Sequence, residues 1–334
     1  MKKSGKKLWP WYAVAGMDLL ALGIALCVFA LFHHVLPTIG GEKIEHIVSV
    51  DNTPEASPNG VDATDEPGSS EEPGTSPTAT PVPEIGDFSA TFPDYDTGVG
   101  ALKSYQSDNI RIAITMHQEN DVTYYLADVY VRQIKYFITA FANGVYGRGQ
   151  RQNTVEMAND SGVIFAVNGD YYGARNSGIV IRNGDLYRDS ISSDVCVLYA
   201  DGTMQTYDQN SFDLNQVIDD GAYQAWGFGP RLLTDGKAMT EFNSSVQKKN
   251  PRCSIGYYAP GHYCFIVVDG RQEGYSEGLS LEELSSLYES MGCKDAFNLD
   301  GGQTAMMVFQ GELVNKPYNG GRTCSDIVGF KEVD

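Results

Sequence analysis

Residues 8–39 form an apolar run whose only formal charge is Asp18, with His33 and His34 near its far end. A run of this length is enough to cross a bilayer as a helix. Lys2, Lys3, Lys6 and Lys7 precede it and no lysine follows directly, a bias that predicts a cytoplasmic N-terminus and an exported remainder. No clear small-x-small cleavage site follows, so an uncleaved signal anchor is expected rather than a removed signal peptide. A buried globular helix would need a polar face that this run lacks. Asp18 has no role in this reading. Further along, the pattern changes to alternation: IRIAITM (110–116) and VTYYLADVYV (122–131) place apolar side chains at every second position, which predicts half-buried strands. GVIFAVN (162–168) is continuously apolar, as in a strand buried on both faces. Hairpin turns are predicted at Asn183-Gly184, Asp201-Gly202, Asp235-Gly236 and Gln310-Gly311, each between β-type runs. CSIGYYAPGHYCFIVVDG (253–270) reads as one more strand, turn, strand unit. Helical spacing is clearest in SLEELSSLYESMG (280–292): Ser280 caps, Glu283 completes a capping box, and Leu281, Leu284, Leu287, Tyr288 and Met291 share one face. A shorter helix is expected within 153–159. Many strands and few short helices define an α+β class, with mixed, strand-rich sheets in a single globular domain.

Composition divides the chain. Residues 51–87 contain acidic, Pro, Ser, Thr and Gly residues and no lysine or arginine, too little apolar surface to offset the entropy of ordering. The expected organisation is a basic tip and transmembrane anchor over 1–40, an acidic tether over 41–87, and a globular domain over 88–334. Part of the formal charge of -19 therefore sits on the tether. Nothing resembles a basic stripe, which argues against nucleic acid as a partner. Of six cysteines, Cys27 falls in the predicted span and five lie beyond it; an odd exported set cannot all pair within one chain. No CxxC or His-Cys spacing suggests zinc. Folding the hairpin about Pro260 and Gly261 does not set Cys253 opposite Cys264.

Four stretches share one design, an apolar run ending in polar residues mixed with glycine: FAVNGDYYG (165–173), GFGPRLLTDG (227–236), IVVDGRQEGYS (266–276) and NLDGGQTAM (298–306). One such end is a turn. Four gathered at one rim would make a cleft lined by Asn168, Asp170, Arg231, Asp269, Arg271, Asn298, Asp300, Gln303 and Thr304. Gly301 and Gly302 would let backbone N–H groups converge on an anion, while Arg231 and Arg252 could grip a phosphate or carboxylate through paired hydrogen bonds. Carboxylates beside guanidinium groups suit chemistry at a sugar or a phosphate ester. No GxSxG elbow, Walker A sequence or EF-hand loop occurs.

In this order, DVYVRQIKYFITAFA, FAVNGDYYG, GFGPRLLTDGK, NPRCSIGY, VVDGRQEGYSEGLSLEELSSLYESMGCKDAFNLDGGQTAMMV and SDIVGF resemble the phosphodiester glycosidase family, some of whose bacterial members are labelled exopolysaccharide proteins. The resemblance covers roughly 108–330. It implies hydrolysis between a sugar's anomeric carbon and a phosphodiester oxygen, with a phosphate-linked glycan or glycopolymer as partner. Together with the anchor, it implies a single-pass protein of the cell membrane with its catalytic domain outside. Asp300 is assigned as nucleophile or base, and Arg231 and Arg252 as phosphate-binding. Asp170 and Asp269 are left with three options: positioning sugar hydroxyls, assisting proton transfer, or holding a divalent cation. No cofactor is otherwise expected. Two departures from the family pattern, Asp170-Tyr171-Tyr172 in the first loop and Gln303-Thr304 in the last, bear on substrate identity more than on fold. The alternatives are a metal-assisted phosphodiesterase cleaving phosphorus-oxygen and a non-catalytic glycopolymer-binding module.

Overall fold

The computed structural model describes residues 10–30, 41–50 and 86–333. Its first helix, Trp11–Ala30, is 20 residues long, and the stretch Trp11–Phe29 is long and apolar enough to cross a membrane. The basic tip at 1–9, the end of the predicted span at 31–40, and residues 51–85 of the predicted tether lie outside the described residues.

Alternation along 110–131 becomes the longest hairpin, Ile110–Glu119 paired antiparallel with Val122–Val131. These strands belong to a six-stranded sheet ordered Asp295–Asn298, Arg252–Ala259, His262–Val268, Val122–Val131, Ile110–Glu119, Lys103–Gln106. One face of it sends Ile110, Ile112, Ile114, Ala127, Val129, Ile255, Phe265 and Val267 into the main core. They meet Phe137, Phe165, Val167, Val328 and Phe330 from a five-stranded sheet and Cys196, Leu198 and Trp226 from a second six-stranded sheet. The alternating strands are thus half-buried and the continuous run Phe165–Asn168 fully so, as period-2 patterning requires.

The other face of the first sheet is covered by the helix Leu281–Ser290, which packs Leu281, Leu284 and Tyr288 on Cys264, Ile266 and Val268. Both halves of the Ser280/Glu283 capping box form, so the helix starts where its sequence says it should. Thr154–Ser161 covers the five-stranded sheet in the same way with Met157 and Ala158. The four Asn/Asp/Gln-Gly turns all close hairpins. In the Arg252–Ala259 and His262–Val268 hairpin, Cys253 faces Val267 and Cys264 faces Gly256, so the two thiols are not opposed.

The tether boundary requires correction. Composition places 41–50 in the tether; instead Glu45 and His46 pair with Leu186 and Asp185 at a sheet edge, and Val48 and Val50 are buried. The short IVSV run supplies enough apolar surface to dock, although its acidic surroundings mask it.

Candidate active site

Asp300 is placed by backbone geometry before any side chain acts. After Asn298, which pairs with Ser254, Leu299 N–H donates to Cys253 O at 2.8 Å, Asp300 N–H to Gly169 O at 3.1 Å, and Gly302 N–H to Pro251 O at 2.9 Å. Three strand ends are thereby laced together. A Cβ on Gly301 would stand 2.7 Å from Pro251 O, so glycine here serves close approach of two backbones. That corrects the anion nest: Gly302 gives its N–H to Pro251, and Gly301 directs its N–H at the carboxylate of Asp300.

The Asp300 side chain is 7% exposed as part of its residue and faces a cleft of about 430 Å³. Thr304 Oγ1 lies 2.7 Å from Asp300 Oδ2 and 2.7 Å from Gly301 O, and a guanidinium nitrogen of Arg322 lies 3.3 Å from Asp300 Oδ2. Burial pushes the carboxyl above its ordinary range; Thr304, Arg322 and the Gly301 N–H pull it down, and Asp170 pushes it up. Asn168 is fully buried behind the site: its Nδ2 donates to Asp300 O at 2.6 Å and its Oδ1 accepts from Met306 N–H at 3.2 Å. It positions the loop and does not reach the cleft. Asn298 does line the cleft; its Nδ2 donates to Gly229 O and Leu299 O, and its Oδ1 is buried without a hydrogen-bond partner among the described residues.

Four of the expected residues have other duties. Asp170 accepts from Tyr172 N–H at 3.0 Å and Gly227 N–H at 3.2 Å and lies 3.2 Å from Arg182. Arg182, fully buried, also donates to Asp326 at 2.8 Å. Burial raises Asp326 to about 7, Arg182 opposing and Asp170 and Asp300 reinforcing. Asp326 O in turn accepts from Gly169 N–H, so this buried ionic group fixes the loop that holds Asp300. Asp269 accepts from Asn315 Nδ2 at 2.7 Å, Tyr275 Oη at 2.9 Å and Lys316 N–H at 3.0 Å and does not line the cleft. Arg231 also falls outside the lining; its guanidinium ends 3.7 Å from Asp208, because its backbone is held by Asp194 and by a bridge to Phe297. Gln303 donates to Gly321 O at 2.9 Å.

The cations that line the cleft are Arg175, Arg252 and Arg271, and none of them forms an ion pair among the described residues. Arg252 is anchored through carbonyls, its Nε on Leu279 O at 2.9 Å and a terminal nitrogen on Lys248 O at 2.6 Å. Burial, with neighbouring Arg271 reinforcing, lowers it to about 10, so it stays charged at neutral pH. Arg271 donates to Asn250 Oδ1 at 2.8 Å and 3.1 Å, and Arg175 rides over the Phe228 ring at 4.9 Å. Sequence reasoning missed Arg175 and Arg322. Both follow glycine-containing loop stretches, YYGAR and NGGR, which is the only signal they give. Among the described residues, no group of three His, Cys, Asp or Glu side chains is arranged to hold a metal ion.

The cleft thus brings a carboxylate at a laced strand junction together with three arginines that form no ion pair among the described residues. The chain belongs to the phosphodiester glycosidase family, whose sequence model matches residues 161–331. It is 30% identical over 185 residues to the SPbeta prophage-derived uncharacterized protein YomE of Bacillus subtilis, which covers 52% of this chain but only 29% of that protein. Its fold is similar to that of the zebrafish N-acetylglucosamine-1-phosphodiester alpha-N-acetylglucosaminidase catalytic domain, auto-inhibited by its pro-peptide, with 19% identity, a TM-score of 0.54, and coverage of 70% of this chain and 87% of that one. A hypothetical protein from Synechocystis is similar at 14% identity and a TM-score of 0.52, covering 68% and 63% of the two chains.

Proposed function

We propose that the cleft hydrolyses the bond between a sugar's anomeric carbon and a phosphodiester oxygen, with Asp300 acting at carbon and Arg175, Arg252 and Arg271 holding the phosphate. One observation carries this reading: a nearly buried carboxylate faces the same 430 Å³ space as three guanidinium groups that form no ion pair among the described residues. Guanidinium forks match phosphate oxygens bidentately. Asp300 keeps one charged partner, Arg322, at 3.3 Å, which favours the ionised form needed of a nucleophile or base.

Asp194 also lines the cleft, its carboxylate accepting from the Arg231 N–H at 3.2 Å, and the leaving group explains why Asp300 alone suffices for the chemistry. A phosphomonoester is a weak base, so the C–O bond to it breaks with little protonation, unlike the bond to an alkoxide. Water supplies the balance. Its oxygen ends on the anomeric carbon and its two hydrogens are divided between the new sugar hydroxyl and the released phosphomonoester or solvent, whether Asp300 deprotonates that water or first forms a glycosyl ester that water then cleaves. Asn298 Oδ1, an acceptor without a partner among the described residues, suits a sugar hydroxyl, and Phe228 lines the same cleft. The helix Trp11–Ala30 supports display of this domain on the outer side of a cell membrane.

Hydrolysis by the full-length protein in oxygen-18 water tests the assignment. Label in the released sugar is expected. Label in the phosphate would mean attack at phosphorus and would replace this reading with a phosphodiesterase, and tight binding without turnover of any sugar 1-phosphodiester would leave a binding module.

A further inference from the structure

The cleft does not end at Asn250. Ser244, Ser245, Val246 and Asn250 line both the cleft and an adjoining recess of about 490 Å³, which Gln247 and Lys248 complete. The cleft alone falls within the roughly 300–1,000 Å³ that holds one small ligand, and the recess adds as much again. The two compartments are mechanically linked, because the Arg252 guanidinium that lines the cleft also donates to the carbonyls of Gln247 at 3.2 Å and Lys248 at 2.6 Å. The arginine assigned to the substrate phosphate therefore sets the backbone course of the recess.

Charge within the segment is divided. Lys249 turns away to Glu277, Nζ to Oε2 at 2.8 Å, whereas Lys248 lines the recess and has no ion pair among the described residues. Around it stand the Ser245 hydroxyl and the Gln247 amide oxygen, whereas the Gln247 and Asn250 amide nitrogens already donate to backbone carbonyls and Asn250 Oδ1 accepts from Arg271. A hydroxyl and an amide oxygen match sugar hydroxyls, and an ammonium without an ion pair is a point charge suited to a phosphate oxygen. A single capped sugar would leave the Lys248 ammonium without use.

We propose that the recess binds the neighbouring repeat of a phosphate-linked glycan, with Lys248 taking that repeat's phosphate, so that the substrate is a chain of at least two sugar-phosphate units. This rests on the hydrolase reading above and specifies its substrate class. The test uses two synthetic probes on the full-length protein: N-acetylglucosamine 1-(methyl phosphate) and a chain of two such repeats. The two-repeat probe is expected to show a kcat/KM about tenfold higher, expressed mainly in KM, and Lys248→Gln is expected to abolish that preference. Added salt should narrow it in the wild-type protein, since the recess is open to solvent. Equal kcat/KM for the two probes, or a preference that survives in Lys248→Gln, overturns the recess while leaving the hydrolase reading intact. If neither probe is cleaved the hydrolase reading fails, and calorimetry then decides the recess separately. A Kd about tenfold tighter for two repeats, lost in Lys248→Gln, supports it, and equal binding or none overturns it.

Discussion

Two loops of this protein share one local design and place their carboxylates in opposite settings. Asp269-Gly270 and Asp300-Gly301 each end a core strand, and each glycine presses on Pro251: a Cβ at Gly270 would stand 2.7 Å from Pro251 N, and one at Gly301 would stand 2.7 Å from Pro251 O. Both carboxylates are buried and both are pushed above the ordinary range by that burial. What separates them is where their donors leave room. Asp269 is enclosed by Asn315, Tyr275 and the Lys316 N–H, so its charge is spent on holding strands together, and it stays out of the cleft. Asp300 also has three donors, Thr304, the Gly301 N–H and a longer contact to Arg322, yet it lines the cleft together with Arg175, Arg252 and Arg271. Under the proposed function, a buried carboxylate that borders a ligand space acts chemically, and one enclosed by protein braces the fold.

The largest effect expected from this contrast is on turnover. Asp300→Asn, which keeps the shape and the Thr304 contact, should lower kcat by about 10³-fold or more while moving Tm by no more than about 2 °C. Steady-state kinetics and a thermal melt of the full-length protein check both halves. A variant that retains wild-type turnover removes Asp300 from the mechanism.

Asp269 should behave in reverse. Asp269→Ala removes the acceptor of one Asn315 amide N–H, of the Tyr275 hydroxyl and of the Lys316 N–H, while Ala305 O still accepts from Asn315 Nδ2, at a cost of about 3 kcal/mol. Chemical denaturation would register this as a lower midpoint at unchanged slope, while kcat per folded molecule changes far less than in Asp300→Asn. An Asp269→Ala protein that is stable but inactive would show that the two loops are not divided as described.

The sequence makes the shared design visible but not the division. Each of the four glycine-rich ends is marked by its own apolar run, and the hairpin glycines and the Ser280 capping box fix the elements that carry them. Local signals of this kind survive folding because they depend on residues close in the chain. Which carboxylate would be satisfied depended on partners 46, 47 and 22 positions away, Asn315, Lys316 and Arg322, and no local pattern encodes those. The same reasoning explains Arg231, whose guanidinium was expected to reach the cleft and instead meets Asp208. It also explains Arg182, which a strand pattern hides although it is the fully buried cation joining Asp170 and Asp326.

A smaller effect is expected from Arg271, whose guanidinium lies beside Gly302 in the cleft lining. Among the described residues its guanidinium hydrogen bonds go to Asn250, so Arg271→Gln should raise KM for a sugar 1-phosphodiester about tenfold with little change in kcat or Tm. The backbone at 271 has φ of 58°, a strain that arginine and glutamine bear alike. A fall in kcat at unchanged KM would place Arg271 in transition-state stabilisation instead of ground-state phosphate binding.

The smallest and most discriminating measurement is the pH dependence of the two carboxylates. Because burial raises each above its unfolded value, the native state holds each proton more tightly than the unfolded chain does. Each group therefore lowers stability progressively as pH rises from about 4 through its folded value, and the loss is complete above that value. Asp269→Asn removes one such titration and should flatten stability against pH across that interval. Catalysis responds differently, because Asp300 must be ionised to act: the acid limb of kcat/KM should lie above the ordinary carboxylate range, because burial raises Asp300, with Thr304 and Arg322 opposing and the charge of Asp170 reinforcing. Asp269→Asn should leave the midpoint of that limb in place even as it reshapes the stability curve. A midpoint displaced by about one pH unit in Asp269→Asn would mean that the two loops titrate as one system, and the donors around Asp269 would then be tuning the reactive carboxylate as well as bracing the fold.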